Sequence, residues 1–115
     1  MRQQRILLVD DQPSVLNTTA RMLESLGYSV ATAPSAEVAL LAFSDGLFDL
    51  VITDLEMLPG MNGLSFARKL KAIQPAIPVI LHTTAGEMYP VVDSVLPKPS
   101  KIADILVAIT QLLPR

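Results

Sequence analysis

Two rhythms of apolar residues alternate along the chain. Short continuous apolar runs are separated by stretches in which apolar positions return every three or four residues. The first rhythm marks buried strands and the second marks helices with one apolar face. Ile6-Leu7-Leu8-Val9 is the first run, and two aspartates close it. Val15, Leu16, Thr19, Met22, Leu23 and Leu26 then share one helix face. Pro13 suits the first turn of that helix and Gly27 its C-terminal stop. Tyr28 to Thr32 reads as a second strand. Ser35 is a fitting N-cap for a helix running through Val38, Leu41 and Ala42, and Asp45-Gly46 breaks it. Leu50-Val51-Ile52-Thr53 is the third strand and again ends in aspartate, Asp54.

A loop, Leu58 to Gly63, leads into a helix with Leu64, Ala67, Leu70 and Ile73 on one face, stopped by Pro75. Val79-Ile80-Leu81 is a fourth strand, and the stretch Val91 to Leu96 contains a fifth. Pro97-Lys98-Pro99 breaks that strand, and Ser100 is placed to cap a last helix carrying Ile102, Leu106, Ile109 and Leu113. Strands and helices in this alternating order predict an α/β domain with a doubly wound parallel sheet, because crossovers between parallel strands are right-handed. Ligands of such sheets bind at the carboxyl ends of the strands, near the switch point.

Composition narrows the picture. The chain has 115 residues, which suits one domain over residues 1–115. Hydrophobic residues make up 50% and aromatics only 4%, so the core is aliphatic, as in sheets buried on both faces. The net charge of −2, with no basic run, argues against direct nucleic-acid binding. There is no cysteine, which excludes disulfides and thiolate metal sites. No apolar stretch is long enough to enter and cross a membrane, and the apolar run before Asp10 is too short for a signal peptide. A cytoplasmic location is the expectation.

The strand ends carry the chemistry. Asp10 and Asp11 follow the first strand, Asp54 the third, Thr83 and Thr84 the fourth, and Lys98 the fifth. Clustered carboxylates repel one another and call for a cation. Oxygen ligands without His or Cys suit a hard ion such as Mg²⁺, which leaves coordination positions for a phosphoryl oxygen. The lysine supplies a second charge, a threonine hydroxyl a donor, and one carboxylate is left as nucleophile. Singly, each residue has an ordinary alternative: Asp10 or Asp11 as helix caps, Asp54 as a turn residue, Lys98 as a solvated charge. His82, the single histidine, reads as a packed strand residue rather than a phosphodonor. Met57, Met61 and Met88 read as packing or loop residues.

Five segments together resemble the receiver domains of two-component response regulators: Leu7-Leu8-Val9-Asp10-Asp11, Val51-Ile52-Thr53-Asp54, Met57…Pro59-Gly60-Met61-Asn62-Gly63, Pro78-Val79-Ile80-Leu81…Thr83, and Lys98-Pro99. The resemblance covers nearly the whole chain. It implies a flavodoxin-like five-stranded sheet of order 2-1-3-4-5. It implies Asp54 as phosphoacceptor, Asp11 as direct Mg²⁺ ligand, Asp10 as holder of a metal-bound water and Glu56 as donor of a backbone carbonyl to the metal. It implies Thr83 as the switch hydroxyl and Lys98 as the phosphoryl-binding lysine, before a cis proline. The implied function is a phosphorelay switch, not an enzyme acting on other substrates. Its partner would be a histidine kinase or phosphotransfer protein, with a weak homodimer as a further option. The stretch Leu47 to Asp54 is similar to receivers of hybrid histidine kinases.

The chain departs from the family pattern in four places. Leu58 is an extra residue between Met57 and Pro59. The segment from Thr83 to Lys98 is too short for a full helix, and Pro90 disfavours helix at Tyr89, so a fourth helix is expected to be short or missing. Val95 stands where the family carries a switch aromatic, with Tyr89 as a substitute candidate. Thr83 and Thr84 compete for one role, and counting from Pro78 favours Thr83. These departures keep a rival reading open, a pseudo-receiver that binds partners without phosphorylation. A phosphatase of the aspartyl-phosphate kind would want a second aspartate where Glu56 stands.

Overall fold

Each apolar run becomes a strand whose alternate side chains enter opposite faces of one sheet. The computed structural model describes residues 3–84 and 87–113. Its strands are β1 (Arg5–Val9), β2 (Ser29–Ala33), β3 (Leu50–Thr53), β4 (Val79–Thr83) and β5 (Ser94–Pro97). The helices are α1 (Pro13–Ser25), α2 (Ala36–Ala42), α3 (Gly63–Ile73) and α4 (Ile102–Leu112). All strand pairs are parallel, in the order β2-β1-β3-β4-β5. The switch point therefore lies at the ends of β1 and β3, where Val9 pairs with Thr53.

The alternation divides the core into two layers. Leu7, Val9, Val51, Val79 and Leu81 pack on one face against Phe66, Ala67 and Leu70 of α3 and Ala36 and Ala39 of α2. Ile6, Leu8, Leu50, Ile52 and Ile80 pack on the other against Leu16 and Leu23 of α1 and Ile105 and Ile109 of α4. Nearly all these side chains lie fully out of water. A buried aliphatic side chain of this size contributes roughly 1.5–3 kcal/mol relative to exposure.

Helix ends follow the expected chemistry in most places. Pro13 opens α1, and Gly27 follows it with φ +96°, a conformation open to glycine at little cost. The Ser35 side chain accepts from the Val38 amide at 3.1 Å and caps α2. Two expectations are corrected. Ser100 does not cap α4: the N-cap position is Lys101, without a side-chain cap, and the Ser100 hydroxyl turns back to donate to the Pro97 carbonyl. Val38 and Leu41 do not face the core, being 45% and 89% exposed. The cap at Ser35 sets the rotation of this short helix so that the small Ala36 and Ala39 meet the sheet.

No helix occurs among the described residues between β4 and β5, as the shortness of that segment predicts. Asp93 closes the connection. Its carboxylate accepts from the Val79 amide at 2.8 Å and from Lys71 of α3 at 2.7 Å. The start of β5 is thereby tied to the start of β4.

Candidate functional site

The sheet ladder continues one residue past the strand ends and fixes the backbone of the polar residues there. The Asp10 amide donates to the Ala33 carbonyl at 3.2 Å, the Asp54 amide to Val9 at 2.9 Å, and the Lys98 amide to Thr83 at 3.1 Å. Asp10, Asp54 and Lys98 are thus held by rigid elements rather than by loops. Among the described residues, carboxylate oxygens of Asp10, Asp11 and Asp54 lie within 4.8 Å of one another. Neither aspartate after β1 caps α1, since Gln12 occupies that position. Asp10 instead accepts from the Gln12 amide through one oxygen, at 3.0 Å, and from Lys98 Nζ through the other, at 2.7 Å.

Lys98 lies between two carboxylates, with Asp54 Oδ1 at 3.3 Å. Asp10 is 2% exposed and Asp54 half-buried, so these are ion pairs in a partly desolvated pocket. Burial pushes the Asp54 carboxyl up, and the Asp10 charge adds to this, while Lys98 and the Leu55 amide pull it down. Asp11, Asp54, Glu56, Thr83, Thr84 and Lys98 line one cleft of ≈ 270 Å³, together with Gln12. Both threonines reach it. Thr83 ends β4 and is buried, and Thr84 is exposed. The Lys98-Pro99 bond is cis, in agreement with expectation, and Leu58-Pro59 is cis as well.

Val95 pairs with Leu81 and packs partly into the α2–α3 layer. The Tyr89 hydroxyl donates to Glu87 at 3.4 Å, and desolvation, with the Glu87 and Glu56 charges, raises its pKa. His82, on the opposite face, is 5% exposed. Burial, helped by Lys98, holds its pKa down to about 4, so the ring is neutral near pH 7.

Two neighbours of the site escaped the sequence reading. Gly63 opens α3 with its Cα against the Asp54 carbonyl, and a Cβ there would land on that oxygen. Its amide donates to the Leu55 carbonyl at 2.7 Å, closing the loop after Asp54. The second is Glu37 on α2, whose carboxylate accepts from the Met61 amide at 2.8 Å. The glycine of the loop motif was a signal for the first. Nothing local signals the second.

A doubly wound α/β domain with an oxygen-only acidic pocket at its switch point is the class that fold and site define. The chain matches the response regulator receiver domain family over residues 6–110 and belongs to it. The transcriptional regulatory protein GlrR of Escherichia coli is 40% identical over 83 residues, 72% of this chain and 18% of GlrR. The chain therefore spans under a fifth of that relative's length. The receiver domain of the hybrid histidine kinase CckA is 32% identical, with a TM-score of 0.83 over 95% of this chain and 98% of that one. The response regulator TrrA of Thermotoga maritima, solved in complex with Mg²⁺-BeF, is 29% identical, with a TM-score of 0.85 over 96% and 99%. The fold, its strand order and the lack of a helix among the described residues between β4 and β5 agree with the sequence expectation.

Proposed function

We propose that Asp54 accepts a phosphoryl group from a histidine kinase or phosphotransfer protein, with Mg²⁺ bound, and that the domain works as a phosphorelay switch. The observation that carries this is the Asp54 carboxylate in a cleft shared with Lys98, two further carboxylates and a threonine pair. The donor set fits the ion. It offers oxygens only, on Asp10, Asp11 and Asp54, with Glu56 at the cleft wall, and hard divalent cations prefer such ligands. When bound, Mg²⁺ supplies charge neutralisation at the phosphoryl oxygens.

The remaining work falls to the chain. An Asp54 carboxylate oxygen attacks phosphorus in line. The O–P bond forms as the P–N bond of a donor phosphohistidine breaks, and the donor imidazole keeps the electron pair and takes a proton. Lys98, already within 3.3 Å of Asp54, moves its charge onto a phosphoryl oxygen. Thr83 donates its hydroxyl to another. On this reading the domain acts on its own aspartate rather than as an enzyme on other substrates, and a kinase donor fits a cytoplasmic location.

A second reading rests on Val95 and on the connection to β5, which has no helix among its described residues: a pseudo-receiver that binds partners regardless of phosphorylation. Intact mass after incubation with acetyl phosphate separates the two. A Mg²⁺-dependent gain of one phosphoryl group, absent from Asp54→Asn, is expected. A folded parent that gains nothing from acetyl phosphate or from a panel of kinases favours the pseudo-receiver. Labelling that survives in Asp54→Asn overturns the site assignment.

A further inference from the structure

The loop between Asp54 and α3, which carries Leu58, meets α2. Leu58 itself is 78% exposed, while Met57 is buried and the Gly60 amide donates back to the Met57 carbonyl at 3.1 Å. The turn delivers Gly60 and Met61 to the first turn of α2. There the Glu37 carboxylate does two things at once. One oxygen accepts from the Met61 amide at 2.8 Å, which holds the carboxyl below the usual range. The other lies where a Gly60 side chain would begin, 2.7 Å from an ideal Cβ. Gly60 has no positive φ, so a side chain there would displace the Glu37 carboxylate rather than strain the backbone.

The same loop is anchored to the acidic pocket at its other end. The Gly63 amide bonds the Leu55 carbonyl, the Gly63 Cα presses on the Asp54 carbonyl, and Glu56 lines the cleft. Met61 lies two residues before Gly63, so the Glu37 contact and the contacts at Asp54 sit on one short segment. We propose that Glu37 is a positioning residue, a latch from α2 that sets the loop after Asp54 and thereby tunes cation and phosphoryl binding at the pocket. The inference rests on the phosphoacceptor reading for its phosphoryl arm, while its cation arm stands apart. Coupling between sites is reciprocal, so loading the pocket must also shift the Met61 amide and the α2 end that holds it.

The test is a double-mutant cycle on the full chain. Glu37→Ala removes the acceptor. Gly60→Ala pushes the carboxylate off the loop. Glu37→Gln keeps an acceptor oxygen. Mg²⁺ affinity is read from amide shifts, and phosphoryl uptake from acetyl phosphate by intact mass. Glu37→Ala and Gly60→Ala should each weaken Mg²⁺ binding and uptake by about threefold to tenfold, the net scale of one exposed hydrogen bond. Glu37→Gln should recover most of both. The double variant Glu37→Ala/Gly60→Ala should be no worse than either single, because the three atoms nearest the added methyl all belong to the Glu37 carboxyl group that Glu37→Ala removes. Strictly additive losses, or unchanged Mg²⁺ affinity in all variants, overturn the latch. A parent that binds Mg²⁺ but takes no phosphoryl group sinks the phosphoacceptor reading instead, and the Mg²⁺ arm still decides the latch.

Discussion

Replacing Lys98 by methionine removes the one charge that lies between Asp10 and Asp54 while keeping much of the side chain's bulk. At 3.3 Å from Asp54 Oδ1 and an effective dielectric constant of ~20, the lost attraction is about 5 kcal/mol. Much of that is offset, since the ammonium no longer has to be desolvated. Removing one partner of a buried pair generally costs about 3–5 kcal/mol, and the 14% exposure of Lys98 argues for the lower end. We expect Lys98→Met to lose about 3 kcal/mol at pH 7 without divalent ions, or about 12 °C in Tm for a domain of this size. The sign with pH is fixed. Asp54 has a raised pKa when folded, so its protonated form favours folding below the ordinary carboxyl value of 3.8, and that benefit fades as pH rises through the folded pKa. Loss of Lys98 raises the folded pKa further. The deficit should therefore shrink in acid and open as the carboxylates ionise. Mg²⁺ should stabilise the variant more than the parent, since it relieves a larger uncompensated negative charge. Urea unfolding at pH 4 and pH 7, with and without MgCl₂, measures all of this. A variant as stable as the parent at pH 7 without Mg²⁺ would refute the view that Lys98 compensates these buried carboxylates.

Two further outcomes follow from the geometry. Gly63→Ala puts a methyl group on the Asp54 carbonyl, which must move, so the protein should lose about 1–3 kcal/mol and shift the Asp54 and Leu55 amide resonances; an unperturbed spectrum would contradict the close approach. His82 is neutral when folded, with a pKa of about 4 against 6.5 in the unfolded chain, so stability should fall by about 3 kcal/mol as pH drops from 6.5 to 4. His82→Leu should flatten that part of the profile, and an unchanged profile would assign the acid sensitivity to other groups.

The strands were legible because each is an unbroken apolar run, and the acidic edge because aspartates end two of them. One residue of register separated the expected second strand from β2, since Tyr28 is buried just ahead of the sheet rather than in it. The core-facing side of α2 was not legible because its larger apolar residues, Val38 and Leu41, are the exposed ones. Small alanines do the packing, and helical periodicity weights size and hydrophobicity without knowing how closely a helix sits on its sheet. Ser100 met the compositional rule for a cap, yet the carbonyl of Pro97 competes successfully for its hydroxyl. Glu37 was invisible for a different reason. Its partner Met61 lies 24 residues away, and a side chain–to–amide contact at that distance leaves no local trace.

The brevity of β5 has a consequence for solubility. It is an outer strand of only four residues, ends in Pro97, and is followed by Lys98 and Pro99. An exposed strand edge is a template on which another chain can add its own strand, and proline, lacking an amide hydrogen, cannot donate to such a ladder. This flank of the molecule is thereby a poor seed for edge-to-edge aggregation, even though half of the residues are hydrophobic. The stiff proline-flanked segment that holds Lys98 at the pocket thus also blunts the sheet margin beside it.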